Sequence, residues 1–224
     1  MAKINTIIYD LDGTLVNTND IIVKSFKATF KKHFPDISLD LETIKKFIGP
    51  PLDETLRNYT KDPFIIQEMI DTYRSFYRQY EERGHELYPE VIQTVKQLKA
   101  EGYQLAILTS KTRDAAWPSY TETGLSDYFD LFIGWDDVPN PKPHEDAVNT
   151  VLVALNNVKQ AIMIGDNQGD ILAGKNAGIY SAGVAWSFKG SAHLMLVDPD
   201  YMLKDMPDIF RILKLIEGEI SYGE

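Results

Sequence analysis

Residues 4–14 read INTIIYDLDGT. Ile4 to Tyr9 is an apolar, β-branched run of strand length, and it breaks into Asp10-Leu11-Asp12-Gly13-Thr14. Similar short runs recur at Tyr103 to Leu108, Leu131 to Ile133, Ala161 to Ile164 and Ser181 to Val184. Helical patterns precede the later ones, as at Glu90 to Ala100, Asp146 to Leu155 and Ile171 to Ala177. Gly102 and Gly178 stand where helix C-terminal glycines are expected. Strands alternating with helices predict an α/β fold with a doubly wound parallel sheet.

One interval interrupts this alternation. Between the first two predicted strands, residues 18–82 read as helix, with apolar spacing at Ile21, Ile22, Phe26 and Phe30, then at Met69, Ile70, Tyr73 and Phe76. A parallel crossover needs only about a dozen residues, so the excess predicts an inserted all-helical subdomain over 17–82, with the sheet core formed by 1–16 and 83–224. Ile48-Gly49-Pro50-Pro51 lies at its midpoint as a rigid break between helices, with Gly49 and Pro50 the candidate substrate loop.

Composition narrows the function. The 224 residues carry 23 Lys and Arg against 33 Asp and Glu, a formal charge of −10, and no cysteine. The missing cysteines exclude a disulfide scaffold, a Cys-ligated metal and a thiol nucleophile, and suit a reducing compartment. The start lacks a signal-peptide pattern and no apolar run approaches membrane-spanning length. A cytoplasmic protein is expected, without nucleic-acid or membrane partners, because such binding depends on Lys and Arg neutralising phosphate. Any anionic substrate must then be met by local positive charge.

Ligand sites of open α/β sheets lie at the carboxyl ends of strands. Three predicted strands end in polar segments: Asp10-Leu11-Asp12-Gly13-Thr14, Thr109-Ser110-Lys111 and Gly165-Asp166-Asn167-Gln168-Gly169-Asp170. Singly, each reads as a turn or helix cap. Together they bring Asp10, Asp12, Asp166 and Asp170 to one edge, and carboxylates that crowded do not all stay ionised without a cation. Oxygen-only donors select Mg²⁺ or a similar hard ion. Lys142, in Asn140-Pro141-Lys142-Pro143, is the candidate second cation.

These segments, in this order, resemble the haloacid-dehalogenase superfamily of phosphotransferases, over essentially the whole chain. The resemblance implies a Rossmann-like core with the inserted helices as a cap. Asp10 then matches the nucleophile that becomes an aspartyl phosphate, and Asp12 the acid/base. Thr109, Ser110 and Lys142 match the phosphate-binding groups. Asp10, Asp12 (through its backbone carbonyl) and Asp166 match the Mg²⁺ site, with Asp170 in support. Within the superfamily, DLDGTLVNTN, IGPPL at 48–52, TSKTR at 109–113, WDDV at 135–138 and GVAWSFKG at 183–190 resemble pyrophosphatases of the phosphoglycolate phosphatase type.

The implied activity is Mg²⁺-dependent hydrolysis of pyrophosphate. Phosphoglycolate phosphatase, another small phosphomonoester phosphatase and a phosphosugar mutase stay open as alternatives. A phospho-accepting receiver domain also clusters acids, Thr and Lys at strand ends, but needs neither Asp12 nor an inserted cap. The expected partner is a small phosphorylated substrate, and the expected state a monomer or small homo-oligomer. Charge for a distal phosphate must come from Lys111, Arg113, Lys189, Lys24 or Arg57. Pro118 is expected to kink the helix after Thr109 or delay its start.

Overall fold

In the computed structural model, which describes residues 3–48, 50–82 and 84–218, the run around Ile7 is a fully buried strand, β1 (Thr6–Tyr9). It is an inner member of a six-stranded parallel sheet with β2 (Gln104–Leu108), β3 (Leu131–Ile133), β4 (Ala161–Gly165), β5 (Tyr180–Val184) and β6 (Tyr201–Leu203), in the order β3-β2-β1-β4-β5-β6. Strand alternation divides the core: Ile7, Tyr9, Leu105, Ile107, Ile162 and Ile164 face one side, and Ile8, Ala106, Leu108 and Met163 the other. With both faces covered, β4 and, after Thr6, β1 read as apolar runs without alternation.

The chain divides into two compact units, one formed by Met1–Asn17 and Glu86–Glu224, the other by Thr18–His85. The second holds α1 (Asn19–His33), α2 (Leu41–Phe47), α3 (Leu52–Leu56) and α4 (Pro63–Glu81). Its own core contains Phe26, Phe30, Ile44, Phe47, Met69 and Ile70. Asp40 caps α2 by accepting from the Thr43 amide, and Asp62 caps α4 by accepting from that of Phe64. The helical reading of 18–82 thus resolves into four helices, with the expected break between α2 and α3 and two further breaks at the capped starts of α2 and α4. In the sheet unit, α5 (Val91–Ala100), α6 (Arg113–Glu122) and α10 (Asp208–Glu217) cover one face, while α7 (Glu145–Ala154) and α8 (Gln168–Asn176) cover the other. The short α9 (Ser191–Met195) follows β5. No described helix is long and apolar enough to cross a membrane.

Two points add to the expectations. The sheet has a further strand, β6, whose three residues at an edge carry too little periodicity to be read. Of the two outcomes expected of Pro118, a delayed start does not occur, since α6 begins at Arg113, directly after Thr112, and runs through the proline. The hydroxyls of Ser119, Thr121 and Thr123 donate to the carbonyls of Ala116, Trp117 and Ser119 in and after the turn that Pro118 disturbs.

Candidate active site

The sheet order explains why distant segments meet. The chain runs from β1 to β2 and β3 on one side, then returns across β1 to β4, so the switch point lies between β1 and β4. Tyr9 is in register with both Ile107 and Ile164, and the Asp10 amide donates to the Ile164 carbonyl at 2.9 Å. The residues just beyond these strands, Asp10, Thr109 and Asp166, therefore share one edge. All three are buried, as is Asp170 in the first turn of α8.

Lys142 ties this edge together. Its side chain is 4% exposed, and its Nζ donates to Asp10 Oδ1 at 2.7 Å, Asp170 Oδ1 at 2.6 Å and the Leu108 carbonyl at 2.8 Å. An ammonium has three hydrogens, so each is used. Asp170 Oδ2 also accepts from the Asn167 amide at 3.0 Å, fixing the start of α8. Gly165 leaves room for this carboxylate, because a Cβ there would lie 2.2 Å from Asp170 Cγ. Gly165→Ala is accordingly expected to displace Asp170 and cost about 1–3 kcal/mol; an unchanged urea midpoint would contradict that contact.

Asp12 has a separate partner. Lys111 Nζ donates to Asp12 Oδ1 at 3.0 Å, whereas Asp12 Oδ2 is buried without a partner among the described residues. Four carboxylates and the two ammonium groups bonded to them leave a formal charge of −2. Burial pushes the Asp10 carboxyl up to about 7 despite Lys142, and burial followed by the charges of Asp10 and Asp170 holds that of Asp166 well above the usual range. Burial would lower the Lys142 ammonium, but Asp10 and Asp170 outweigh it and raise it.

The residues fit a hard divalent cation. Carboxylate oxygens of Asp10, Asp166 and Asp170 all lie within 4.8 Å of one another. Gly13, at φ +81°, leaves the space beside them open: a Cβ there would sit 2.4 Å from Asp166 Oδ2. The Asp12 side chain turns to Lys111, which leaves its backbone carbonyl as the group expected at the metal, while the supporting Asp170 lies among the gathered carboxylates.

Thr109 Oγ1 accepts from the Lys111 amide at 3.2 Å, fixing the turn after β2, while Ser110 is exposed. Gly49 lies outside the described residues. Pro50 is exposed and lines a cavity of about 340 Å³ with Thr43, Lys46, Phe47, Thr55 and Tyr59; this cavity belongs to the helical unit and shares no residue with the carboxylate cluster.

Two motifs prove structural. Arg113 donates through Nη2 to Asp137 Oδ2 at 2.7 Å and the Phe132 carbonyl at 2.8 Å, and its amide donates to Asp136 Oδ1 at 2.8 Å. Arg113 and the acids of WDDV thus clasp α6 to the end of β3. His144 Nδ1 accepts from the Asp146 amide at 3.2 Å, capping α7. After β5, Trp186 Nε1 donates to the Thr14 carbonyl at 3.1 Å and Ser187 Oγ to that of Asp166 at 2.8 Å, fastening this loop to the same edge. The motif GVAWSFKG marked that loop, but the hydroxyl of Ser187 gave no sequence signal of its own.

Comparison with known proteins agrees with this architecture. The model of the haloacid dehalogenase-like hydrolase family matches residues 7–184. Pyrophosphatase PpaX of Anoxybacillus flavithermus is 42% identical over 212 residues, 94% of this chain and 97% of the relative. Pyrophosphatase PpaX of Listeria monocytogenes is 42% identical over 218 residues, 95% and 98% of the two chains. Among solved structures, a haloacid dehalogenase-like family protein from Streptococcus pneumoniae superposes with a TM-score of 0.80 at 30% identity, covering 93% of this chain and 98% of that one. A predicted phosphoglycolate phosphatase from Haemophilus somnus gives 0.82 at 26% identity, covering 95% and 99%. With its sheet order, its strand-end acids and these near-full-length similarities, the chain belongs to the haloacid dehalogenase-like hydrolase family.

Proposed function

We propose that the chain is a Mg²⁺-dependent phosphohydrolase that cleaves inorganic pyrophosphate through an aspartyl phosphate on Asp10, with the helices of Thr18–His85 as its cap. The observation that carries the choice of substrate is the 42% identity, over nearly the full length, to relatives named pyrophosphatase PpaX.

Asp10 Oδ1 is held by Lys142, which orients the carboxylate for in-line attack by its other oxygen. That oxygen bonds to phosphorus as the bridging P–O bond breaks, and Asp12 delivers a proton to the departing phosphate oxygen. Asp12 next takes a proton from water, whose oxygen attacks phosphorus. The bond to Asp10 breaks, phosphate leaves, and both side chains return to their starting states. Thr109 and Ser110 supply hydroxyl and backbone donors to the phosphoryl oxygens. Lys142, with its hydrogens already engaged, contributes chiefly its charge and its hold on Asp10 and Asp170. Asp10, Asp12 and Asp166 would hold Mg²⁺, and when bound it supplies charge neutralisation between the carboxylates and the phosphoryl group.

A second reading, phosphoglycolate phosphatase, draws on the Haemophilus somnus neighbour. The deciding measurement is kcat/KM with Mg²⁺ for pyrophosphate, phosphoglycolate and several sugar phosphates, repeated in EDTA. Pyrophosphate is expected to dominate and EDTA to silence every substrate. A dominant phosphoglycolate value would replace the first reading with the second, and full activity in EDTA would remove the metal.

A further inference from the structure

Pyrophosphate carries a second phosphoryl group, and the structure separates the basic residues that the sequence offered for it. Arg113 is engaged by Asp137 and the Phe132 carbonyl. Lys24 pairs with Asp20 and Arg57 with Asp53. Lys111 is bonded to Asp12. Lys189 differs from all of these. It is half-buried and makes neither hydrogen bond nor ion pair among the described residues. The other partly buried lysines, Lys45, Lys99, Lys111, Lys142 and Lys175, each hold an acidic or carbonyl partner.

An ammonium withdrawn from water without a partner is a net cost to the fold, and burial indeed lowers the proton affinity of Lys189. Its position gives that cost a use. The loop 185–190 is fixed to the catalytic edge by Trp186 on Thr14 and Ser187 on Asp166, and Lys189 lies within electrostatic reach of the Asp166 carboxylate. A second unsatisfied group stands beside it. His193 is close enough for the Lys189 charge to act on its ring, and its Nε2 is buried without a partner. Its backbone carbonyl accepts from Gln168 Nε2 at 2.8 Å, which holds it against the start of α8. A half-buried, unpaired ammonium beside the carboxylate edge has the charge to receive an anion there.

We propose that Lys189 is a substrate-specificity residue whose ammonium binds the distal phosphoryl oxygens of pyrophosphate, with His193 lining the same subsite. This rests on the pyrophosphate reading. A charge-assisted hydrogen bond to a phosphate, lost by truncation, corresponds to roughly a 10- to 100-fold loss in binding.

The test compares Lys189→Met, Lys189→Arg and the wild type on pyrophosphate and on para-nitrophenyl phosphate, which has no distal phosphoryl. Lys189→Met is expected to lower kcat/KM for pyrophosphate roughly 10- to 100-fold, mostly through KM, and to change para-nitrophenyl phosphate hydrolysis less than about 3-fold. Lys189→Arg should recover a large part of the loss. The melting temperature of metal-free Lys189→Met should equal or exceed that of the wild type, because a half-buried unpaired charge is removed. Equal losses on both substrates, no loss on either, or a lower melting temperature each overturn the assignment while wild-type pyrophosphate turnover stands. A wild type that ignores pyrophosphate defeats the underlying reading and the assignment with it.

Discussion

Asp10→Asn is expected to reduce pyrophosphate turnover by on the order of 10⁵-fold, as loss of a nucleophile does where the rest of the site survives. Asparagine matches aspartate in shape, so the end of β1 can keep its place between β2 and β4. What changes is chemical: the amide has no anionic oxygen with which to attack phosphorus. The substitution should not weaken the fold. It removes one of the buried charges crowded with Asp166 and Asp170, and metal-free protein is expected to melt at or above the wild-type temperature. Rapid quench with labelled substrate should find phosphoprotein in the wild type and none in the variant. Retention of more than about 1% of activity, once deamidated protein is separated, would falsify the nucleophile assignment.

Lys142→Met should be the most disruptive change to stability. Its ammonium is 4% exposed and bonded to two acids and a carbonyl. Removing one partner of a buried ion pair strands the other, typically at about 3–5 kcal/mol. Activity should fall by about 10³-fold, since the cation orients Asp10 and offsets charge near the phosphoryl group. The loss should also depend on pH. In metal-free wild type, burial raises Asp10 to about 7, whereas the unfolded carboxyl titrates near ~3.9. The folded state then binds a proton that the unfolded state does not, so this contribution is whole below ~4 and is lost as pH rises through about 7. Without Lys142 the buried acids hold protons more tightly still, and stability should fall further towards pH ~8. Urea unfolding of both proteins at low and high pH, in EDTA and in Mg²⁺, checks this. A pH-independent difference would show that Lys142 contributes packing and not charge.

Much of the site was legible because its chemistry is carried by short contiguous segments. Asp10 and Asp12 flank one residue, Asp166 and Asp170 sit one helical turn apart, and each segment directly follows an apolar run that can only be a strand in this alternation. The inserted helical unit was legible from length alone, since 18–82 far exceeds what a crossover needs. The break at 48–51 was legible too, but those at Asp40 and Asp62 were not, because these caps look like ordinary polar residues between helical patterns. Arg113 illustrates the converse. Its place four residues after Thr109 made it a candidate for substrate, yet its guanidinium is taken by Asp137, a partner 24 positions away brought near by the pairing of β2 with β3.

The sequence by itself determined the α/β alternation, the helical insertion, the strand-end acids and the charge they gather at one edge, because these follow from periodicity, length and composition. Only the tertiary structure decided how the cations are shared. Strand order brings Lys142 onto Asp10 and Asp170 and Lys111 onto Asp12, across separations of 132, 28 and 99 residues. These pairings reduce the excess of four carboxylates to −2, the charge that one divalent ion offsets. An ion pair depends on distance in space, which no local pattern encodes, and for the same reason Lys189 could be recognised as unpaired only in the folded chain.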